Sequence, residues 1–167
     1  MKSSFLMAGG IMLVLAVVWT YLFVLVVTVA FRKKHFPRES PNPAQALVLA
    51  GKTLSGIILI TALFAPVRDF LLVVSSLNPW RSGAFLSFLL ICCCLTGVAW
   101  VIAAVLEGLL SRQVFRGQSL RVELQHGNLA VAVTRVVLLL GLAWVLWFGL
   151  GMVLQSFIPT PMIPTIR

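Results

Sequence analysis

The sequence predicts an all-α integral membrane protein whose four transmembrane helices form two parallel helical-hairpin repeats. Three observations lead to this fold class: an apolar composition, four long stretches with almost no charged residue, and a short motif that occurs twice. Of all residues, 60% are hydrophobic and 10% are charged, whereas a soluble domain averages about 25% charged residues. The chain therefore needs lipid around it. We expect a single membrane domain over 1–167, with a first hairpin at 1–80 and a second at 81–167.

The first hairpin is predicted from two apolar segments on either side of a basic loop. Phe5–Phe31 contains no charged residue and exceeds the roughly 20 residues that cross the hydrocarbon core. Its basic cluster, Arg32–Lys34, follows the apolar run, whereas a signal peptide has its basic residues in front. We therefore expect a retained first span. Ala44–Val67 is the second span, interrupted only by Lys52 and ended by Pro66 together with Arg68 and Asp69.

The second hairpin follows a transitional segment. Phe70–Trp80 is half apolar, and it suits an interfacial helix or a helical extension. Ser82–Leu106 contains no charged residue and is the third span, and the stretch from Leu129 to about Met152 is the fourth. Only helices and closed barrels satisfy their backbone groups in lipid. Since these runs do not alternate between apolar and polar residues, they are predicted to be helices.

The distribution of lysine and arginine predicts the orientation. The loops after spans one and three hold seven such residues: Arg32, Lys33, Lys34, Arg38, Arg112, Arg116 and Arg121. The opposite side holds four: Lys2, Arg68, Arg81 and Arg167. Because cytoplasmic loops are enriched in these residues, we expect both basic loops in the cytoplasm and both termini outside. The net charge of +9, without a nucleic-acid-binding motif, favours anionic lipid over nucleic acid as a partner.

A short motif, Asn-x-Ala-x-Ala, opens the second helix of each predicted hairpin. It occurs in "NPAQALVLAG" and again in "NLAVAVTRVV", and its residues are Asn42, Ala44, Ala46, Asn128, Ala130 and Ala132. Asparagine is a favoured helix N-cap, and alanines allow helices to approach closely in a membrane. Two ordinary helix starts would also explain the similarity. An even number of crossings separates the copies, so an internal repeat would be parallel, about an axis along the membrane normal.

The same residues carry a family resemblance. The motif, with a glutamate upstream and a glycine further in, is similar to a bacterial inner-membrane family known as domain of unknown function 350, whose members carry paired two-helix units. The matching residues outside the motif are Glu39, Gly51, Glu123, Gly127 and Gly141. Pro41 stands where the second copy has Gly127, which departs from strict symmetry. The resemblance implies an inner-membrane protein without assigned chemistry, and gene neighbourhoods associate some members with membrane stress and remodelling.

Three ionisable residues lie nearest the membrane interior: Lys52, Glu107 and Arg135. Charges inside a membrane are costly, which makes each a candidate functional residue. All three fall in the cytoplasmic third of their spans, from which Lys52 and Arg135 can extend to the interface. An ion pair of Glu107 with one of these cations, fixing helix register, is the favoured interpretation. An ion or proton pathway and a pocket for lipid headgroups are the alternatives.

The remaining reactive residues give no sign of catalysis. Cys92–Cys94 are consecutive in the middle of the third span, where cysteine packs as a small apolar residue. His35 and His126 lie in the predicted loops, away from the helices in which a haem finds its axial ligands. No nucleophile, phosphate-binding or metalloprotease motif occurs in the sequence. We expect no enzyme, no metal and no cofactor.

These observations together predict a non-enzymatic inner-membrane scaffold or a subunit of a membrane complex. Trp19, Trp144 and Trp147 lie deep in their spans, where an indole N–H needs a partner, and this favours a homo-oligomer in the bilayer. The basic loops would contact a cytoplasmic partner protein or anionic lipid. The alternative is a small channel or transporter subunit that uses Lys52, Glu107 and Arg135.

Overall fold

A computed structural model describes residues 2–35, 42–74, 83–116 and 119–158. These residues form six helices: α1 (Lys2–His35), α2 (Pro43–Thr61), α3 (Phe64–Val74), α4 (Gly83–Val114), α5 (Leu120–Gln125) and α6 (Leu129–Gln155). No strand occurs within the four described ranges, which confirms the all-helical fold class. At one end of the bundle, α1 and α4 end, α2 and α6 begin, and α5 lies. We call this end of the bundle the turn end.

Three helical stretches among the described residues are long and apolar enough to cross a membrane: Pro43–Val73, Gly83–Val114 and Leu129–Gln155. For α1, the apolar stretch among the residues whose side chains are described is Ala16–Phe31, which is the C-terminal part of the uncharged run Phe5–Phe31. Large apolar side chains such as Leu90 on α4 face outward, which a lipid environment favours. The structure thus agrees with a multi-pass membrane protein. A fourth span formed by α1 and the division into two hairpin repeats stay predictions.

The second predicted span consists of two helices joined by a tight turn. The N–H groups of Ala62 and Leu63 donate to carbonyls three residues back, at 3.2 and 3.0 Å. α3 then begins at Phe64, so Pro66 lies in its first turn, where the missing N–H costs no helical hydrogen bond. The predicted helix end at Pro66 is therefore wrong, and the predicted extension begins at Phe64 instead of Phe70. Residues 75–82 lie outside the described ranges.

The polar loop after α4 contains a two-turn helix, α5, that the sequence analysis did not predict. Its end adopts the Schellman arrangement: the N–H of Gly127 donates to the Leu124 carbonyl at 3.2 Å, and the N–H of Asn128 donates to the Glu123 carbonyl at 3.0 Å. Gly127 has a φ of 78°, which a glycine adopts at little cost. The Leu124 side chain is buried and anchors α5 against the bundle.

The helices that begin after the two motif asparagines, α2 and α6, pack most extensively against each other. Gly51 lies at their close approach, and a Cβ at this position would lie 2.6 Å from Cγ2 of Val136. Gly56 has the same role between α2 and α1, because the Phe23 ring occupies the space that a Cβ would need. Small residues at such crossings are typical of membrane helices. α2 is therefore the central helix of the bundle.

Two apolar clusters form the core. One lies at the end opposite the turns, where the rings of Phe70 and Phe88 stack at 4.4 Å and Cys92 is buried among them. Cys93 is half-buried and Cys94 is exposed, so only part of the cysteine run packs in the core. The second cluster lies at the turn end and includes Ala44 and Ala132. It supports the residues described next.

Candidate functional site

Asn42 is the N-cap of α2, and its side chain also joins the start of α2 to the end of α5. Its Oδ1 accepts from the N–H of Gln45 at 2.9 Å, and its own N–H donates to the Gln45 side chain at 3.1 Å, which completes a capping box. Its Nδ2 donates to the carbonyls of Leu124 and Gln125 at 2.8 and 3.0 Å. These carbonyls belong to the last turn of α5. One side chain thus satisfies groups at the start of α2 and at the end of α5.

Asn128 caps α6 in the same way but bonds only within its own turn. Its Oδ1 accepts from the N–H groups of Ala130 and Val131 at 3.1 and 3.4 Å. Its Nδ2 donates to the carboxylate of Glu123 at 2.8 Å. Both asparagines therefore satisfy N–H groups that a helix start leaves open, and only Asn42 reaches the other turn.

The four motif alanines do not have matching roles. Ala44 and Ala132 are completely buried, two and four residues after their respective asparagines. Ala46 and Ala130 are exposed. Within the chain, the packing role expected of the alanines fits Ala44 and Ala132, whereas for Ala46 and Ala130 close helix approach stays a prediction.

Glu107 of α4 and Arg135 of α6 form a buried ion pair near the turn end. The guanidinium contacts both carboxylate oxygens, through Nε to Oε1 and through Nη2 to Oε2 at 3.0 Å. The Ser111 hydroxyl, one turn further along α4, donates to Oε1 at 3.1 Å. The side chain of Glu107 is 3% exposed and that of Arg135 is 16% exposed. A charge so little exposed is stable only when it is paired and hydrogen-bonded, so the geometry fixes α4 relative to α6.

Lys52 lies near this pair but contacts a different helix. Its ammonium lies 5.3 Å from the centroid of the Phe31 ring, within the range of a cation–π interaction. The indole N–H of Trp100 donates to the Lys52 carbonyl at 3.4 Å, and the Trp100 ring meets Phe23 edge-on at 5.3 Å. Lys52 thus belongs to the contact of α2 with α1 and α4.

An open cleft of about 990 Å³ joins these residues at the turn end. Among the described residues, its charged lining consists of four cations and one carboxylate: Lys52, Arg112, Arg121, Arg135 and Glu107. Its apolar lining includes Trp100, Val101, Val105, Phe115, Leu120 and Leu124. The three predicted intramembrane charges therefore line one space. The excess of cations makes this space attractive to an anion.

The predicted basic loops contribute unequally to this cleft. Arg112 and Arg121 line it, whereas Arg116 is exposed on the same turn and lies outside the lining. For Arg32, Lys33 and Lys34 the described part of the chain gives the helical backbone alone. Arg38 and Glu39 lie outside the described residues.

Several residues of the site were not found by sequence reasoning. Ser111 stands four residues after Glu107, a spacing that brings side chains together on one helix face, and this signal was present in the sequence. Trp100, Phe115 and Leu120 carry no comparable signal, because their place in the cleft depends on helices distant in sequence. The bond from Asn42 to α5 was missed because α5 itself was not predicted.

The comparisons with known proteins give one result. Neither the curated proteins nor the solved structures contain a match to the chain. A family model described as Domain of Unknown Function (DUF350) matches residues 2–150. This match includes both asparagine motifs, α1 to α5 and the larger part of α6. The chain therefore belongs to the DUF350 family.

Proposed function

We propose that the protein is a non-enzymatic scaffold, or a subunit of a larger complex, in the bacterial inner membrane. α1 would be the fourth span, the turn end would face the cytoplasm and both termini would lie outside. The observation that carries this proposal is the bonding of Asn42 to Leu124 and Gln125. Because these bonds hold the start of α2 to the end of α5, the basic residues that precede α2 and α6 would form one surface toward a partner protein or anionic lipid.

Association of several copies in the bilayer is part of this proposal. On α6, Gly141 and Gly149 are exposed and have no atom near the position of a Cβ, so they take no part in close packing within the chain. The neighbouring Trp144 and Phe148 are also exposed. Small residues beside large ones on an outer face support contact with another transmembrane helix. The association with membrane stress and remodelling that the resemblance implies belongs to this proposal as well.

The test is native mass spectrometry of the protein extracted from its own membrane in a mild detergent. We expect a mass above that of one chain, made up of further copies, of a partner protein or of both. Arg116→Glu reverses a charge on the basic surface and should release a partner protein. Arg68→Glu is the matched control, because Arg68 is exposed on α3, at the opposite end of the bundle.

Two outcomes count against the scaffold. One is a strictly monomeric protein that co-purifies with no other protein. The other is equal loss of the partner in Arg116→Glu and Arg68→Glu, which would show that the basic surface is not the contact.

A small channel or transporter subunit is the second candidate, and the cleft supports it. A space of about 990 Å³ reaches Lys52, Glu107 and Arg135, which are charges of the kind that line ion pathways. Flux of protons or small anions into proteoliposomes should then fall in Glu107→Gln and in Arg135→Gln. Unchanged flux in both variants would exclude these residues from a pathway.

A further inference from the structure

We propose that the cleft at the turn end binds one anionic phospholipid, with its phosphodiester headgroup among the arginines and one acyl chain along the apolar wall of α4. This site rests on the proposed function and deepens it: it assigns the anionic-lipid contact to one cleft, and it requires neither a partner protein nor a second copy.

The charge of the cleft is the first part of the argument. Among the described residues that line the cleft, Arg112, Arg121 and Arg135 share one space with a single carboxylate, that of Glu107. Glu107 is already paired with Arg135. Within the described part of the chain, neither Arg112 nor Arg121 forms an ion pair. An anion between these arginines would relieve their mutual repulsion, and guanidinium groups suit the oxygens of a phosphate.

The Arg135 guanidinium is held in place by Glu107 and has further N–H donors for the same ligand. A guanidinium has five N–H donors, and the two contacts with Glu107 come from Nε and Nη2. The remaining donors can bond to a second anion. Because Glu107 is itself oriented by Ser111, the guanidinium is positioned before a ligand arrives, which lowers the entropic cost of binding.

The direction of the cleft indicates an amphiphile. Arg112 lies in the last turn of α4, whereas Val105 and Val101 lie deeper along the same helix, roughly 10 and 16 Å away at 1.5 Å per residue. Both valines line the cleft and remain more than half exposed. The charges thus lie at the end of a membrane-spanning helix and the apolar wall extends toward the lipid. A phospholipid has the same arrangement of headgroup and chain, whereas a free phosphate would leave the apolar wall without a partner.

The experiment measures the apparent affinity for phosphatidylglycerol by native mass spectrometry of the full chain in a non-ionic detergent. Arg112→Gln and Arg121→Gln each remove one charge from the cleft. Arg116→Gln removes one charge from the same turn outside the cleft and is the matched control. We expect each cleft variant to bind about tenfold more weakly, because a charge-assisted hydrogen bond contributes about that factor. Arg116→Gln should weaken binding less than either cleft variant, because Arg116 belongs to the basic surface but lies outside the lining of the cleft.

Further arms identify the source of the anion. Arg112→Lys and Arg121→Lys keep the charge, and they should retain more binding than the glutamine variants. Inorganic phosphate and glycerophosphoglycerol, which have no acyl chain, should not displace the lipid at millimolar concentration. Equal affinities in Arg112→Gln, Arg121→Gln and Arg116→Gln would overturn the site, and so would equal binding of zwitterionic phosphatidylcholine. Displacement by inorganic phosphate would overturn the lipid assignment. None of these results depends on co-purification of a partner protein, so they are separate from the test of the scaffold.

Discussion

α2 and α6 both begin after an asparagine N-cap, Asn42 and Asn128. The Oδ1 atoms of the two side chains have the same role, whereas the Nδ2 atoms have different partners. In both, Oδ1 accepts from the first free N–H groups of the helix. Nδ2 of Asn42 bonds to backbone carbonyls of the other turn. Nδ2 of Asn128 bonds to Glu123 in its own turn.

This difference separates what a helix start requires from what the tertiary structure adds. Every helix start leaves N–H groups open, so an N-cap acceptor is needed in both copies and the sequences look alike. The side-chain N–H groups of the two asparagines are not needed at a helix start, and their partners depend on which residues pack beside them. A repeated motif therefore need not have a repeated role. The two halves of the chain also differ in the buried ion pair, in the close approach at Gly51 and in which motif alanine is buried.

The largest effect is expected from the buried pair, which the structure shows between α4 and α6. Glu107→Ala would leave the Arg135 guanidinium, 16% exposed, without a counter-charge. Breaking such a pair costs about 3–5 kcal/mol, and we expect a loss of this size in the free energy of unfolding, to be measured in bicelles. The double variant Glu107→Leu with Arg135→Leu removes both charges and should recover most of this loss. If the double variant is as unstable as Glu107→Ala, the cost does not come from an unpaired charge.

The next effect compares Gly51 and Gly141, the glycines that follow the two motif asparagines by nine and by thirteen residues. Gly51→Ala places a methyl group 2.6 Å from Cγ2 of Val136 and should cost about 1–3 kcal/mol of unfolding free energy by overpacking. Gly141→Ala meets no atom of its own chain within 4 Å and should stabilise α6 by up to about 1 kcal/mol in bicelles diluted until each holds one chain, where the proposed contact with another copy is absent. Measuring both variants in the same bicelles tests the sign of each change. Equal destabilisation in bicelles that hold several chains would show that Gly141 is packed against another chain.

A smaller difference is expected between the two asparagines. Serine keeps an acceptor for the N-cap but has no amide donor. Asn42→Ser loses two bonds to carbonyls of α5 and should cost about 1–3 kcal/mol, at about 0.5–1.5 kcal/mol for each net hydrogen bond. Asn128→Ser loses one bond to a half-buried carboxylate and should cost less. Equal losses of unfolding free energy would mean that the bonds between the turns add nothing to stability.

The smallest effects are expected at the exposed motif alanines. Ala46→Leu and Ala130→Leu should change the unfolding free energy by no more than about 0.5 kcal/mol, because both positions are exposed and lie outside the core. Ala44→Leu is the contrast, since this side chain is completely buried. A marked loss at Ala46 would reveal a contact that the single chain does not contain.

Much of the fold could be predicted because lipid imposes simple rules. Long uncharged runs located the helices of Pro43–Val73, Gly83–Val114 and Leu129–Gln155, since a backbone in lipid must bond to itself. The break before Phe64 was missed because the end of the helix was predicted near Pro66. Pro66 lies in the first turn of α3, where a proline does not end a helix. α5 was missed because two turns show no clear periodicity, although Gly127 before Asn128 was a possible helix-end signal. The cleft could not be predicted, because it depends on how distant helices pack.

The buried pair also has a consequence for how the protein enters the membrane. While α4 is synthesised and α6 is not, Glu107 is a carboxylate without its guanidinium partner. A charge in a helix centre costs roughly 2.5–3.5 kcal/mol on insertion scales, and Glu107, which lies nearer the turn end of α4, costs up to that amount. Arg135 meets the same cost if α6 enters alone. Each helix therefore lowers the barrier for the other. Insertion of the second half of the chain as a helical hairpin, after residue 135 has emerged from the ribosome, is the economical route for this sequence.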